Sequence, residues 1–404
     1  MRNRTAIFFC ILVFFGISAG AGATPFSAID LGGRVDTQTK NNQFIIHKTA
    51  VLGRDDRRPI PKKYLNVAAS IGILGQPGRR GWSCSAFCVA EDIVATNAHC
   101  IVRNPTAGRR LDLARSVFVL PPVNSKSSKV SYPGTFAHPV TLSRKQPGLS
   151  VYSGNFVRPK SVAAQNHDWA FTKLNKPVCK GRILKFATRK ISALMNDAKK
   201  SRVFMIGFHG DKKMEKRLYS SKCRIRSPQN RKYFLKSQRR MMARSGALLP
   251  HTCDAFKGSS GSPILLDTDE GVRVIGINLG SLRYERYKIN RNPYTGKVIG
   301  RKKIQYRRET NMAVRPSAFL AGLERYRKET LLQSISDFKR IQTHLKALKL
   351  YKGKIDGRMG QMTRRAIVRY EQIFGLPPIA LPTRELLKHL GNTITKRDAS
   401  EQSG

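Results

Sequence analysis

Acidic residues are scarce in this chain. Its 404 residues include 25 Asp and Glu against 75 Lys and Arg, which gives a formal net charge of +50 at pH 7. Such an excess of positive charge favours polyanionic surroundings, such as cell-wall polymers, anionic lipid surfaces or nucleic acid. Nucleic acid is the least favoured of these partners, because the sequence has no zinc-ligand spacing, no RNA-binding signature and no ladder of aromatic and basic residues.

Long apolar runs are also missing, apart from one near the start of the sequence. This run covers residues 6–17, follows two arginines, and is followed by small residues at 21–23. It is too short to cross a bilayer comfortably, and its flanks are typical of a secretory signal over residues 1–23. An uncleaved anchor is the alternative. We expect no transmembrane segment after the signal, and the polar stretch 24–48 is either a propeptide or an N-terminal arm.

The cysteines do not form the C-x-x-C pairs that are typical of metal sites. We therefore expect no metal, and no organic cofactor is implied either. Of the seven cysteines, Cys10 lies inside the signal. The remaining six are an even number in a chain that enters an oxidising compartment, which indicates disulfide bonds, although the number alone leaves the pairing open.

A turn of small residues, Gly258-Ser-Ser-Gly-Ser-Pro263, precedes an apolar run. It is not the G-x-S-x-G turn, because Ser262 takes the place of the second glycine. A serine on such a turn presents its hydroxyl outward, and the amides of Gly258 and Ser260 can converge on a developing oxyanion. Taken alone, the stretch is equally compatible with an ordinary loop.

Two upstream residues supply the other groups that a nucleophilic serine needs. His99 lies in Thr96-Asn-Ala-His-Cys100, directly after an apolar pair, and Asp168 follows between the two motifs. An imidazole activates the hydroxyl as a general base, and a carboxylate holds that imidazole in the correct tautomer. The order of histidine, aspartate and serine along the chain is the order of the chymotrypsin fold.

The strings TNAHC and GSSGSP resemble the histidine and serine motifs of trypsin-like serine proteases. This resemblance implies a mainly β domain of two six-stranded barrels over residues 49–325, with the active site between them. It also implies catalytic roles for His99, Asp168 and Ser260, and an oxyanion hole at Gly258 and Ser260. Short apolar runs rich in β-branched residues, broken by Gly, Pro and basic segments, agree with strands of such a domain. The string VLGRDDRRPI at 51–60 resembles the opening segment of bacterial glutamyl endopeptidases.

The resemblance also bears on the disulfides. Trypsin-like proteases bridge the histidine loop at the spacing of Cys84 and Cys100, which implies that pair. Cys223 and Cys253 flank an insertion ahead of the serine motif, and we expect them to pair. The cysteines that remain are Cys88 and Cys179, and a buried free thiol at Cys88 is the alternative to their pairing.

Three positions require comparison with the proteases that the chain resembles, and two of them, Ser259 and Asn278, depart from those proteases. Ser259 stands where trypsin has an aspartate that pairs with a newly released N-terminus, so that activation switch is absent. Asp254 and Asn278 are the candidates for a specificity pocket. Asp254 has the spacing of the aspartate that selects Arg and Lys in trypsin, with a structural carboxylate that caps loop amides as the alternative. Asn278 lies where glutamyl endopeptidases carry a histidine that binds the substrate glutamate.

Four further features remain, two histidines and two basic stretches. His167 and His251 are expected to be loop or pocket-lining residues. The heavily basic stretches 227–245 and 283–308 are expected to be surface loops, which either bind an anionic polymer or are solvated insertions.

A second pattern begins after a basic, polar linker at 326–332. Helical periodicity and turn-rich stretches predict a small three-helix domain over 333–392, followed by a polar, frayed tail at 393–404. The string GKIDGRMGQMTRRAIVRYEQIFGLP resembles the peptidoglycan-binding module with the pattern G-x-x-D-G-x-x-G-x-x-T-x-x-A. The matching residues are Gly353, Asp356, Gly357, Gly360, Thr363 and Ala366. A three-helix appendage that only stabilises the protease is the alternative.

Together these features predict a secreted serine endopeptidase that cleaves a protein or peptide substrate and is retained at a bacterial cell wall, in the periplasm or outside the cell. The expected partners are that substrate and peptidoglycan or another anionic envelope polymer. Two other functions stay open: a non-catalytic envelope-binding protein on a protease fold, and a hydrolase of peptidoglycan peptide crosslinks.

Overall fold

The computed structural model describes residues 42–47, 51–75, 83–101, 116–122, 135–140, 150–154, 166–212, 217–221 and 223–402. The expected secretory signal, 1–23, lies outside the described residues, as does most of the stretch 24–48. Within the described part of the chain, no helix has the length and apolar character that crossing a membrane requires.

The first half of the chain forms an antiparallel sheet of seven strands, which supplies the histidine and the aspartate of the candidate site. In their order across the sheet, the strands are β6 (Thr135–Ala137), β5 (Val117–Leu120), β2 (Ile71–Gly75), β3 (Ser83–Ala90), β4 (Ile93–Thr96), β8 (Ala170–Lys173) and β7 (Val151–Ser153). Strands β2, β4 and β5 are buried at every position, as expected for β-branched and apolar residues in a closed core.

The second half forms a sheet of eight strands, which supplies the serine. Its main path runs through β11 (Arg217–Ser220), β10 (Val203–Phe208), β13 (Pro263–Thr268), β14 (Gly271–Arg291), β15 (Val298–Val314) and β12 (Leu248–His251). Two further strands, β1 (Asn42–His47) and β9 (Lys185–Phe186), also pair with β14. The mainly β expectation is confirmed. Among the described residues the sheets have seven and eight strands instead of six each, and β1 and β9 are the two additional strands of the second sheet.

One apolar core joins the two sheets. Phe87 and Phe171 from the first sheet pack in the same buried cluster as Phe204, Leu265 and Ile277 from the second. Each sheet also has a cluster of its own on its far side. This shared core holds the two sheets in a fixed position relative to each other. The candidate site lies where the two sheets meet.

The helices are short in the β part of the chain and longer at its C-terminus. They are α1 (Leu65–Ala68), α2 (Ala98–Ile101), α3 (Ile191–Lys199), α4 (Lys236–Ser245), α5 (Leu320–Lys328), α6 (Ile335–Ala347), α7 (Gln361–Ile373) and α8 (Arg384–Gln402).

The two basic stretches are loops only in part: residues 227–235 are irregular, whereas 236–245 form a helix and most of 283–308 lies in strands. The stretch 227–245 ends in α4, and Phe234 and Met242 anchor it in the shared core. The stretch 283–308 belongs to a long hairpin of β14 and β15, in which Arg291 pairs with Val298 next to the turn. We predicted loops because both stretches are heavily basic. That prediction did not weigh the buried apolar residues of the first stretch and the strand-forming Tyr and Ile residues of the second.

The C-terminal helices α6, α7 and α8 enclose a separate apolar cluster, which confirms the helical end of the chain. Two boundaries differ from expectation. Helix α5 continues through the expected linker to Lys328, and Tyr326 within it is fully buried. Helix α8 continues through the expected frayed tail to Gln402. The expected linker packs against both domains, since Tyr326 contacts Ser150 and Lys173 of the peptidase domain and Glu329 contacts Thr383 of the module.

Candidate active site

His99 and Asp168 come from neighbouring strands of the first sheet. His99 lies in α2, directly after β4, and Asp168 lies directly before β8; Thr96 of β4 pairs with Ala170 of β8. The carboxylate of Asp168 contacts His99 twice, since Oδ2 is 2.7 Å from Nδ1 and Oδ1 accepts the His99 amide at 2.8 Å. The side chain of Asn97 donates to the Asp168 carbonyl at 2.7 Å. Paired strands and these hydrogen bonds therefore fix the imidazole against the carboxylate.

The tautomer of His99 follows from its partner. A carboxylate only accepts hydrogen bonds, so Nδ1 carries the proton and Nε2 is the ring nitrogen that accepts one. The His99 side chain is 40% exposed, whereas that of Asp168 is 12% exposed. The basic nitrogen of this pair therefore belongs to the accessible member.

Ser260 lies on the turn before β13, next to the strand that leads to His99. Its hydroxyl donates to the Leu279 carbonyl at 3.3 Å. A Cβ atom at Gly261 would lie 2.1 Å from the Ser85 carbonyl oxygen and 2.3 Å from Thr96 Oγ1, and Gly261 has a φ of 84°. Only glycine permits this contact, and it brings the serine turn against β4, three residues before His99.

The amides on either side of this turn divide into two groups. The Ser259 amide donates to the Phe256 carbonyl at 2.9 Å, and the Gly261 amide to the Asn278 carbonyl at 2.8 Å. Among the described residues, the amides of Gly258 and Ser260 have no acceptor. Gly258 has a φ of 99°, a conformation that favours glycine. These two amides are therefore available to bind an oxygen of a substrate.

The structure contains the three expected disulfides, Cys84–Cys100, Cys88–Cys179 and Cys223–Cys253. The first joins β3 to α2 and so holds the helix that carries His99. In the part of the chain that the structure describes, Cys84, His99 and Cys100 are the one group of potential metal ligands that lies close together. Because both sulfurs are bonded to each other, neither is available as a thiolate ligand.

Comparison with known proteins agrees with this geometry. Residues 84–277 match the family described as "Trypsin-like peptidase domain". The chain contains a trypsin-like peptidase domain. Residues 334–390 match the family described as "Putative peptidoglycan binding domain". The fold is the mainly β chymotrypsin-like fold, and the match to a trypsin-like peptidase domain supports a serine endopeptidase.

Three solved structures resemble the chain at low identity. A glutamyl endopeptidase in complex with MPD is 15% identical with a TM-score of 0.43, over 69% of this chain and 99% of that one. An inactivated protease paralogue of the scabies mite is 14% identical (TM-score 0.40; 67% and 99% covered). The secreted serine protease VesC of Vibrio cholerae is 13% identical (TM-score 0.41; 63% and 45% covered). A search of curated protein sequences finds no match.

Asp254 binds backbone amides of the segment that opens the peptidase domain. It is 3% exposed, and its two carboxylate oxygens accept the amides of Leu52 and Asp56, each at 2.8 Å. Burial raises the pKa of Asp254 to about 6. Its surroundings are therefore those of a structural carboxylate that caps loop amides, the alternative that its sequence position left open.

Replacing Asp254 with alanine is expected to lower the free energy of unfolding by about 1–3 kcal/mol, because two buried amides lose their acceptor. The substitution should leave the choice of the residue before the scissile bond unchanged. Chemical denaturation and cleavage of a mixed peptide library measure the two effects. Efficient hydrolysis of an arginyl amide that is lost in Asp254→Ser would instead show that this carboxylate selects the substrate.

Asn278 is fully buried and faces the serine turn. Its Nδ2 donates to the Ser259 carbonyl at 2.9 Å and to Ser259 Oγ at 3.2 Å. The structure thus directs this candidate pocket residue toward the backbone of the turn. His251, on β12, is also fully buried, and burial lowers its pKa to about 4, so the ring is neutral at physiological pH. His167 lies half-buried in the turn before Asp168.

Sequence reasoning missed Ser85, which holds the serine turn from the first sheet. Its amide donates to the Gly258 carbonyl at 2.9 Å, and its hydroxyl contacts the same oxygen at 3.2 Å. The hydroxyl also accepts the Phe208 amide at 2.9 Å. A serine in the middle of a buried strand, directly after Cys84, was the available signal.

The polar residues of the peptidoglycan-binding motif build the loop between α6 and α7. Asp356 Oδ1 accepts the Arg358 amide at 2.9 Å and the Gln342 side chain at 3.0 Å. The Gly357 amide donates to Gln342 Oε1 at 2.8 Å, and the Thr363 hydroxyl donates to the Arg358 carbonyl at 3.0 Å. The side chain of Gln342, outside the motif, is thus the centre of this network.

The other motif residues serve the packing of the same loop. A Cβ atom at Gly353 would lie 2.4 Å from the Tyr351 hydroxyl. Gly360 is the N-cap of α7, and Ala366 is 4% exposed within the helical core. The motif therefore specifies the fold of the module.

Proposed function

We propose that Ser260, His99 and Asp168 form the catalytic triad of a secreted endopeptidase. His99 Nε2 takes the proton of the Ser260 hydroxyl as Oγ attacks the scissile carbonyl, and later gives that proton to the leaving amine. Asp168 holds the Nδ1 proton and stabilises the imidazolium that forms. Water then attacks the acyl-enzyme with His99 as base again, which releases the acid and restores the hydroxyl.

The amides of Gly258 and Ser260 bind the negative oxygen of the tetrahedral intermediate. Their lack of an acceptor in the described chain is what this role needs, because a donor that already has a partner gains less from a new charge. The substrate class is a protein or peptide.

The double contact of Asp168 with His99 is the observation that carries this proposal. It is tested by labelling the purified protein with a fluorophosphonate probe, which reacts with an activated serine. Labelling of Ser260, lost in Ser260→Ala and His99→Ala, supports the triad. Absence of labelling in the intact chain would favour a non-catalytic envelope-binding protein.

The match to a peptidoglycan-binding family over residues 334–390 supports retention at the cell wall. The net charge of +50 favours anionic polymers in general, so the experiment must separate the two effects. We expect the full chain to cosediment with peptidoglycan stripped of anionic polymers, at salt that releases it from beads coated with polyglutamate, since salt screens exposed charges. Release from both at the same salt would show that retention is electrostatic.

Hydrolysis of peptidoglycan crosslinks is a second candidate, and the close packing of the two domains favours it. Arg325 of the peptidase domain lies 2.7 Å from the buried Glu371 of the module, so a glycan bound to the module would keep one position relative to the active site. Release of muropeptides from purified sacculi, absent with Ser260→Ala, tests it.

The stretch 24–48 is proposed to act as an inhibitory propeptide. Within it, β1 pairs with β14 from Ser281 to Arg286. Because β15 occupies one edge of β14, β1 lies on the other edge, which β13 leaves at Ile277. This edge passes Leu279, whose carbonyl contacts Ser260. An extended substrate would add to the same edge by strand pairing.

A chain that begins at Val51 is therefore expected to have a KM for a peptide substrate about tenfold lower than the chain that begins at Thr24, because a competing strand is removed. A synthetic peptide of sequence NQFIIH should inhibit the shorter chain competitively. Equal KM values for both chains, with no inhibition by the peptide, would show that β1 does not occupy the substrate edge.

A further inference from the structure

Asn278 holds the serine turn on both sides of Ser260. Its side chain donates to Ser259, and its backbone accepts the Gly261 amide and donates to the Ser262 carbonyl, both at 2.8 Å. The side chain is fully buried, so water does not compete for its hydrogen bonds. The turn therefore rests on one residue of β14 through contacts to three positions around the nucleophile, Ser259, Gly261 and Ser262.

The Ser259 carbonyl accepts Asn278 Nδ2 at 2.9 Å and the Ser262 amide at 3.0 Å, and these two contacts determine where the Ser260 amide points. The carbonyl of residue 259 and the amide of residue 260 belong to the same planar, trans peptide, in which C=O and N–H point in opposite directions. Because Asn278 draws the carbonyl into the second sheet, the amide is directed away from it. The neighbouring peptide is held in the same way, since the Gly210 amide donates to the Lys257 carbonyl and thereby directs the Gly258 amide.

In trypsin, an aspartate before the nucleophile and a newly released N-terminus hold the equivalent turn. Here that position is Ser259, which carries no charge. We propose that Asn278 is the positioning residue that replaces this ion pair and keeps the oxyanion hole formed without any newly released N-terminus. This inference rests on the proposed oxyanion role of the Gly258 and Ser260 amides.

The test is Asn278→Leu, which keeps the number of side-chain atoms and removes the donor. We expect kcat to fall about a hundredfold, as for the loss of one oxyanion donor, with KM within about threefold of the parent. The affinity for a peptide aldehyde, which forms a tetrahedral adduct, should fall by the same factor as kcat/KM. Affinity for a non-covalent product peptide should stay unchanged.

Asn311→Leu is the matched control. Asn311 is equally buried in the same sheet, and its side chain donates to the Cys253 carbonyl at 2.8 Å, away from the turn. We expect it to lower the thermal midpoint as much as Asn278→Leu does while leaving kcat within about threefold. If Asn278→Leu does not fold, Asn278→Ser, too short to reach the Ser259 carbonyl, replaces it.

An unchanged kcat in the folded Asn278 variant would overturn the inference, as would equal losses of kcat in both asparagine variants. Failure of the proposed function itself looks different, because the parent chain would then not react with the fluorophosphonate probe.

Discussion

Replacing Ser260 with alanine is expected to lower kcat for peptide hydrolysis by about a millionfold, and His99→Ala is expected to cost about the same. The two losses are not additive, because without the hydroxyl the imidazole has no proton to accept. The double variant should therefore be no slower than either single variant. Initial rates with a peptide ester, followed long enough to detect the residual reaction, measure all three.

Ser259 and Ser262 are the controls for this result, since both lie within two residues of Ser260 on the same turn. Ser259→Ala removes one oxygen that Asn278 contacts at 3.2 Å and keeps the backbone carbonyl that it holds at 2.9 Å. We expect each control to retain kcat within about tenfold, because neither removes a reacting group. An inactive Ser259→Ala beside an active Ser260→Ala would show that Ser259, and not Ser260, is the nucleophile.

The candidate residues of the site could be selected from the sequence because they belong to residue types that are few and ordered along the chain. One histidine between an apolar strand and a cysteine, one aspartate before a strand and one serine on a glycine turn are local patterns. The fold then brings them together through strand pairing, as β4 and β8 do for His99 and Asp168. None of these steps needed the direction of a single buried side chain.

The role of Asn278 could not be predicted, and that of Asp254 was left between a pocket residue and a structural carboxylate, because each depends on such a direction. Both positions match pocket residues of related proteases by spacing alone. The register of β14 is irregular between Asn278 and Gly280, which is the kind of local change that moves a side chain from one surface to another. The partners of Asp254, the amides of Leu52 and Asp56, lie about 200 residues away in sequence.

The boundary between the two domains is the other feature that differs from the prediction, which was based on composition. A basic, polar stretch such as 326–332 predicts a linker with few contacts. In the structure, the Tyr326 hydroxyl donates to the Ser150 carbonyl and accepts the Lys173 amide at 3.0 Å. Glu329 lies between Arg325 and the Thr383 hydroxyl of the module. The charged residues of this stretch thus form an interface, in which they pair with each other.

The apolar contacts across this interface reach the residue that follows Asp168. Ile379 and Leu381 of the module belong to the same buried cluster as Tyr152 and Trp169, and Trp169 follows Asp168 directly. A Cβ atom at Gly322 of α5 would lie 2.1 Å from the Tyr152 hydroxyl and 3.1 Å from the Pro378 carbonyl oxygen, so the domains are in close contact there. The module therefore covers part of the peptidase core.

A chain that ends at Arg325 is accordingly expected to lose most of its peptidase activity and to unfold at a markedly lower temperature. It would expose the apolar side chains that Tyr326, Ile379 and Leu381 cover, at a cost of about 1.5–3 kcal/mol for each large side chain. Thermal unfolding and the rate on a small peptide substrate measure the two effects. A chain that ends at Asp398 removes only the exposed end of α8 and is the control, with both values expected to match the full chain.

The substitution Glu371→Gln tests the same interface without shortening the chain. Glu371 is fully buried and accepts hydrogen bonds from Arg325 at 2.7 Å and from the amides of Ile379 and Ala380, each at 3.1 Å. The neutral amide keeps the volume and an acceptor oxygen but removes the negative charge beside the Arg325 guanidinium, which still pairs with Glu329. We therefore expect a cost of about 1–3 kcal/mol. The variant should therefore destabilise the peptidase domain, although the substitution lies in the module. A truncated chain with unchanged activity and melting temperature, together with a stable Glu371→Gln, would show that the module is an independent appendage after all.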